Sequence, residues 1–331
     1  MERNVQMSMK MRVCLFLSVC ALPVLVCGCL DTDADNFLAD HNTYVLDIFE
    51  EHADEDLYML KSDTEDLCVI EDETQYDRSY INSTAGILFN IDTHEVIYSK
   101  NGREQLPIAS LTKLMTSLLV LESGTLMDTV RVGEEVNITY YDAWLCHFQP
   151  GDTLSMEDLL YATLIYSGND AAAAMAAHVK GDVDSFVEQM NVKAEEIGAV
   201  NSHFANPHGL DANGHYSSLY DLYLIFKECI KYDTFMDVIG TDSYTCTYTG
   251  ADGNPVTKTF NNTNWYFTGD AEIVEGFTLL GGKTGNTVKA HRCLIILVEG
   301  PDGMHYIAGI LGAEDQVTLY QEMNQLLKLA L

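Results

Sequence analysis

Leu106-Pro107-Ile108-Ala109-Ser110-Leu111-Thr112-Lys113-Leu114-Met115-Thr116 is the stretch from which the fold can be read. Leu111, Leu114, Met115, Leu118 and Leu119 fall at i, i+3, i+4, i+7 and i+8, an apolar stripe that predicts a helix over residues 110–122. At the start of such a helix Ser110 and Lys113 share a face, so hydroxyl and amine can meet. A serine is a weak nucleophile at neutral pH and needs a base within hydrogen-bond reach. A lysine serves as that base only when its amine is neutral, a state favoured by burial and by a second nearby cation. The helix N-terminus also aims amides at a developing anion. Alone, S-x-x-K is equally the pattern of a capping serine with a surface lysine.

Outward from this helix, residues 85–91 and 95–99 are two β-rich runs around Asp92-Thr93-His94, a hairpin signal. Helical patterns follow at 158–166, 170–179, 183–197 and 217–232. Residues 294–298 and 305–311 read as strands joined at Pro301-Asp302-Gly303, and a final amphipathic helix spans about 314–330. Strands at both ends with helices between predict an antiparallel sheet in which the first and last strands meet.

Two further short motifs stand in this frame. Ser167-Gly168-Asn169 lies between two helical runs, and Lys283-Thr284-Gly285 is flanked by Gly281-Gly282 and Asn286. Turn residues account for the first by itself. Glycines beside a strand let a ligand backbone approach closely, although a surface bulge has the same look. Three such motifs in this order, on helix start, inter-helix turn and strand, are far more specific than any one.

The trio resembles the penicillin-interacting serine enzymes, the penicillin-binding proteins and class A β-lactamases. Longer stretches narrow this to the serine D-alanyl-D-alanine carboxypeptidases, the low-molecular-weight penicillin-binding proteins. They are residues 106–116, Ser167-Gly168-Asn169-Asp170-Ala171-Ala172, Phe186-Val187-Glu188-Gln189-Met190-Asn191, Phe204-Ala205-Asn206-Pro207-His208-Gly209-Leu210-Asp211, Asn262-Thr263-Asn264 and Gly282-Lys283-Thr284-Gly285. The resemblance covers roughly residues 80–331. It implies an α/β (α+β) fold of the β-lactamase/transpeptidase-like kind, with helices on both faces of the antiparallel sheet and an inserted helical subdomain. It also implies removal of the terminal D-alanine from peptidoglycan stem pentapeptides through an acyl-enzyme, acylation by β-lactam antibiotics, and no cofactor or metal.

By the same resemblance Ser110 is the nucleophile and Lys113 its general base. Ser167 relays a proton to the leaving amine, and Asn169 holds a substrate amide. Lys283 and Thr284, with Gly285 and Asn286, form the substrate-binding strand. Lys283 is the second cation beside Lys113, and the backbone N–H groups of Ser110 and Asn286 form the oxyanion hole. One departure concerns the substrate carboxylate. Relatives carry an arginine in the last helix, near Leu319, but residues 317–330 contain none. Arg292 or Arg103 are the candidates to replace it. A β-lactamase is the rival enzyme; class A members carry an Asp where Gly168 stands, and Glu188 offers only a superficial match to their water-activating Glu. The rival of another class is an inactive relative that binds peptidoglycan or β-lactams.

His203, His208 and His215 lie close in sequence, but their spacing fits neither H-E-x-x-H nor a helical i, i+4 pair, and the segment reads as a family loop. Composition frames the remainder. The chain has 331 residues and a net charge of −32, which excludes a nucleic-acid partner because phosphate contacts need a basic face. Half of that charge lies in residues 31–77, where 17 Asp+Glu face a single Lys61. Residues 29–78 therefore read as an acidic tether and 79–331 as the catalytic domain. A calcium loop beginning at Asp31 fails, since Asn36 and Asn42 stand where Gly and Glu are required.

Residues 1–28 read as a signal peptide. Arg3, Lys10 and Arg12 precede an apolar run, 13–26, that is shorter than the roughly 20 residues of a membrane-spanning helix. Val26-Cys27-Gly28-Cys29 resembles a bacterial lipobox, which implies cleavage before Cys29 and a diacylglycerol on its sulfur. The mature protein is then expected outside the cytoplasm, held to the membrane at its N-terminal end rather than by a C-terminal helix. Of nine cysteines, four fall in this export segment. The other five, Cys68, Cys146, Cys229, Cys246 and Cys293, show no C-x-x-C spacing and read as buried thiols, with one disulfide left open.

Overall fold

The computed structural model describes residues 66–331; the signal peptide, Cys29 and most of the acidic segment lie outside the described residues. In chain order the elements are β1 (Ala85–Asn90), β2 (Glu95–Lys100), α1 (Lys113–Glu122), β3 (Thr129–Arg131), β4 (Thr153–Ser155), α2 (Met156–Leu164), α3 (Asn169–Lys180) and α4 (Val183–Glu196). They continue as α5 (Leu219–Cys229), α6 (Asp233–Ile239), β5 (Ser243–Thr249), β6 (Pro255–Asn261), α7 (Trp265–Thr268), β7 (Thr278–Thr287), β8 (His291–Glu299), β9 (His305–Ala313) and α8 (Gln316–Leu327).

The main sheet has the order β2-β1-β9-β8-β7, all antiparallel. First and last strands do meet: Ile87 is opposite Gly309 and Phe89 opposite Ile307. Both faces are covered, which is why β1 reads as an unbroken apolar run rather than an alternating one. Leu88, Ile296, Val298, Ala308 and Ile310 pack with Leu319, Met323 and Leu326 of α8. Ile87, Phe89, Ile295, Leu297 and Ile307 face the other way, into the core that holds α1 and α5. β7 is an edge strand, so one of its sides is free of strand partners.

Three features differ from the expectation. Residues 109–112 form a 3-10 turn, and α1 begins only at Lys113. Ala109, at the head of this turn, sits at φ 48°, outside right-handed helical space. Moreover, α1 is buried all round from Lys113 to Leu121, not along one stripe, because α2, α3, α4 and α5 surround it. A second sheet, β3-β4-β5-β6, was not anticipated. β3 and β4 have three residues each, and β5 alternates buried Cys246 and Tyr248 with outward threonines.

Order also begins earlier than residue 79. Cys68 and Ile70 are buried in the core, and the Cys68 N–H donates to the Tyr223 hydroxyl at 3.0 Å. Glu73 accepts from Ser99 Oγ at 2.6 Å and from the Gly102 N–H at 2.7 Å. Residues 68–78 are therefore part of the domain, not of a solvated tether. Among the described residues no helix is long and apolar enough to cross a membrane. Cys68, Cys146, Cys229, Cys246 and Cys293 are all free and buried.

Candidate active site

Three segments contribute to the lining of a cavity of about 590 Å³: the 3-10 turn before α1, the turn between α2 and α3, and β7. Ser110, Ser167, Thr284, Gly285 and Asn286 line it. Lys113, Asn169 and Lys283 stand behind this lining, each almost wholly buried. Gly285 sets the spacing. A Cβ there would come within 3.0 Å of the Ile108 carbonyl and 3.2 Å of the Ser110 nitrogen, so any side chain would push the Ser110 backbone off the strand.

The environment of Lys113 determines what its amine can do. Nζ lies 2.8 Å from Ser110 Oγ, 2.7 Å from Asn169 Oδ1 and 2.6 Å from the His208 carbonyl oxygen. The last two can only accept. A neutral amine has two hydrogens for them and one lone pair left, aimed at the Ser110 hydroxyl. That arrangement lets Ser110 donate its proton to Lys113, the geometry of a general base. Burial drives the Lys113 pKa well below the ordinary lysine value, and the charge of Lys283 lowers it further; Cys146 and Asp170 oppose the shift.

A second serine–lysine pair faces the first. Lys283 Nζ donates to Ser167 Oγ at 2.9 Å and to the Thr284 carbonyl at 2.9 Å. Burial alone brings its pKa down to about 7. Thr284 Oγ1 shares a 2.5 Å hydrogen bond with Thr263 Oγ1, which also lines the cavity. Asn169 is fixed by its N–H bond to the Trp144 carbonyl at 2.8 Å. Ser167, like Ala109, has a left-handed backbone, φ 70°. Such non-glycine conformations cost on the order of 1–3 kcal/mol each and collect at functional sites. Here the two strained turns carry Ser110 and Ser167, which line one cavity.

Of the two candidate arginines, Arg292 lines the cavity. It lies on β8 opposite Asn286 of β7. Arg103 is directed elsewhere: its guanidinium stacks 4.3 Å over the Tyr220 ring and donates to the Ile70 carbonyl. Leu319, at the helix position of the missing arginine, is buried in the core.

The histidines have separate tasks. His208 contributes its carbonyl to Lys113, His203 Nδ1 bonds the Gly214 carbonyl at 2.6 Å, and His215 lies against Thr112. Among the described residues no cluster of three or more His, Cys, Asp or Glu is placed to hold a metal. Other residues at the site had no role in the sequence reading. Asp170 accepts from the Cys146 N–H at 2.8 Å and the Phe148 N–H at 3.1 Å, fixing the loop that carries Trp144. Its place directly after the second motif was the available signal. Thr263 sits in a quoted stretch, but its partner Thr284 is 21 residues away.

Residues 72–315 match the family of D-alanyl-D-alanine carboxypeptidases. Among curated proteins, the chain is 37% identical over 161 residues to D-alanyl-D-alanine carboxypeptidase DacF of Bacillus subtilis, covering 47% of this chain and 41% of that protein. It is 31% identical over 259 residues to D-alanyl-D-alanine carboxypeptidase DacD of Escherichia coli, covering 75% and 63%. The chain thus spans less than two thirds of the length of either relative. Among solved structures it is similar to the Streptomyces K15 DD-transpeptidase, with a TM-score of 0.69 at 27% identity, over 76% of this chain and 98% of that one.

Proposed function

The chain belongs to the D-alanyl-D-alanine carboxypeptidase family, and from that premise we propose that it removes the terminal D-alanine from peptidoglycan stem pentapeptides through an acyl-enzyme on Ser110. The observation that carries this reading is Lys113 Nζ, buried, committed to two acceptors, and 2.8 Å from Ser110 Oγ. Ser110 attacks the penultimate carbonyl as Lys113 takes its proton. The N–H groups of Ser110 and Asn286 receive the oxyanion, an effect worth roughly 3–4 kcal/mol per donor in serine hydrolases. Ser167, bonded to Lys283, supplies a proton to the departing amine, and water then releases the shortened peptide. The substrate lies along the free edge of β7, with its terminal carboxylate at Thr284 and Arg292 and an amide held by Asn169. β-Lactams enter the same site and acylate the same oxygen.

The β-lactamase alternative lacks support at two positions. Glu188 lies exposed on α4, away from the cavity lining. Cys146 Sγ occupies the space beside Gly168 that a side chain there would need, 2.3 Å from a built Cβ. The penicillin adduct is therefore expected to persist. Intact-mass spectrometry over time tests this: fast return to the unmodified mass with loss of antibiotic would favour the β-lactamase. Release of D-alanine from a pentapeptide by wild type, absent in Ser110→Ala, tests the peptidase. Equal, negligible release by both would leave only a binding protein.

The N-terminal segment belongs to the same proposal. Residues 1–28 direct export, Cys29 carries a diacylglyceryl group, and the enzyme works on the outer side of the cell membrane, where its cell-wall substrate lies. Two acyl chains are enough for stable anchoring where one is marginal. Processing that globomycin blocks, and that Cys29→Ala abolishes, is the expected result; processing indifferent to both would remove the anchor.

A further inference from the structure

The carbonyl group directly before the nucleophile is held through Thr112 by His215, which lies 103 residues beyond that threonine. Thr112 Oγ1 lies 2.8 Å from the Ala109 carbonyl oxygen and 2.7 Å from His215 Nε2. The carbonyl can only accept, so the Thr112 hydroxyl donates to it, and Oγ1 must then accept from Nε2–H. At the other side of the ring, the Ala205 N–H donates to His215 Nδ1 at 3.0 Å. One direction runs through the whole chain: Ala205 N–H to Nδ1, Nε2–H to Thr112, Thr112 O–H to Ala109. It requires the neutral ring, which matches its burial; burial also lowers the His215 pKa to about 4.

What this chain holds is unusual backbone. Ala109 stands at φ 48°, a conformation that a non-glycine residue keeps only when its surroundings impose it. Those surroundings belong to one loop, residues 203–216, closed by the His203–Tyr216 bridge and joined to the strand before the nucleophile by the Leu106–Ser217 bridge. Gly209 of this loop is pressed on the strained residue: a Cβ there would lie 2.0 Å from the Ala109 carbonyl oxygen. The same loop presents the His208 carbonyl to Lys113.

We propose that His215 is a positioning residue for the nucleophile: through Thr112 it fixes the left-handed turn at Ala109 that sets where Ser110 Oγ stands relative to Lys113 Nζ. His215 touches neither substrate nor the reacting atoms. The inference rests on the reading of Ser110 as the acylated serine. Its signature is a loss in the acylation step without an equal loss in binding, since a small misplacement of reacting groups can lower a rate by around 100-fold. Glutamine is the informative replacement, because its side-chain amide can both accept from Ala205 and donate to Thr112.

The experiment is acylation of the exported chain by a chromogenic or fluorescent penicillin, resolving the rate of the covalent step from the dissociation constant of the complex that precedes it. His215→Phe and Thr112→Val are each expected to lower the covalent step by about 10- to 100-fold, with the dissociation constant within about threefold of wild type. His215→Gln should recover most of the rate. The double variant His215→Phe/Thr112→Val should be no slower than His215→Phe, because both substitutions break one chain. Wild-type rates in Thr112→Val, equal losses in His215→Gln and His215→Phe, or multiplying losses in the double variant would each overturn the proposal. Thr112→Val changes little in shape and keeps the test decisive if His215→Phe does not fold. A wild-type protein that forms no adduct on Ser110 would instead overturn the functional reading on which this one rests.

Discussion

The cavity holds two serine–lysine pairs, and they are built differently. Ser110 and Lys113 are neighbours on one turn, three residues apart, while Ser167 and Lys283 are brought together across 116 residues. Both lysines are buried, yet their electrostatics are not equivalent. The shift of Lys283 comes from burial alone. That of Lys113 comes from burial and, next, from the charge of Lys283. The repulsion between the two amines is mutual, so a charge on Lys283 favours the neutral form of Lys113. Hydrogen bonding separates them further. Lys113 has two partners that can only accept and a hydroxyl that can give up a proton; Lys283 is the donor to its serine and to a carbonyl.

The largest predicted effect removes the first pair's nucleophile. Ser110→Ala should form no penicillin adduct by intact mass and should lose on the order of 10⁶ in kcat, the scale of removing a serine hydrolase nucleophile. Ser167→Ala should still acylate, only more slowly. If Ser167→Ala alone abolished the adduct, the assignment of the two pairs would be reversed.

How much of this was legible in the sequence follows the same division. The Ser110–Lys113 pair rests on i, i+3 spacing, a local relation that any helical turn preserves, including the 3-10 turn actually present. The terminal strands and the helices between them were legible because apolar runs have a period. Nothing local brings Ser167 to Lys283; there the family resemblance supplied what spacing did not. The chain from Ala205 through His215 and Thr112 to Ala109 was missed because its direction depends on which atom is already committed, a fact of three dimensions. The docking of Cys68 and Ile70 was missed for another reason. Counting charge over residues 31–77 averaged away two apolar residues and the buried partners of Glu73.

The coupling between the two lysines gives the next effect in size. Lys113→Met removes the base and should lower acylation by about 10²–10⁴-fold, the range for a lost general base. Lys283→Met should cost less and leave a different mark. Acylation needs neutral Lys113, so the rate falls as pH drops through its pKa. Without the charge of Lys283 that pKa rises, and the acid limb of the pH–rate profile moves to higher pH. Ser167→Ala should leave the limb in place. An unmoved limb in Lys283→Met would mean that burial alone keeps Lys113 neutral.

A smaller effect separates the arginines. Arg292→Ala should raise KM for a pentapeptide by about 10- to 100-fold, corresponding to one charge-assisted hydrogen bond of roughly 1.5–3 kcal/mol. Arg103→Ala should leave KM within about twofold, since that guanidinium is committed to Tyr220 and Ile70. Steady-state D-alanine release measures both. Equal effects would remove Arg292 from carboxylate binding.

The smallest effect is on stability, and it asks whether tuning the site strains the fold. Lys283 titrates near 7 in the folded protein, below the ordinary lysine value of 10.5 that holds in the unfolded chain. Between these values the unfolded chain binds more protons than the folded one, so this group's contribution to stability rises as pH increases from about 7 to about 10.5. Lys113 acts with the same sign, and its shift is larger when Lys283 is present. Wild type should therefore gain stability relative to Lys283→Met between pH 6.5 and 9.5, as read from denaturant unfolding of both proteins. A difference that stayed constant with pH would show Lys283 titrating as it does in the unfolded chain, and housing the second lysine would then place no pH-dependent strain on the fold.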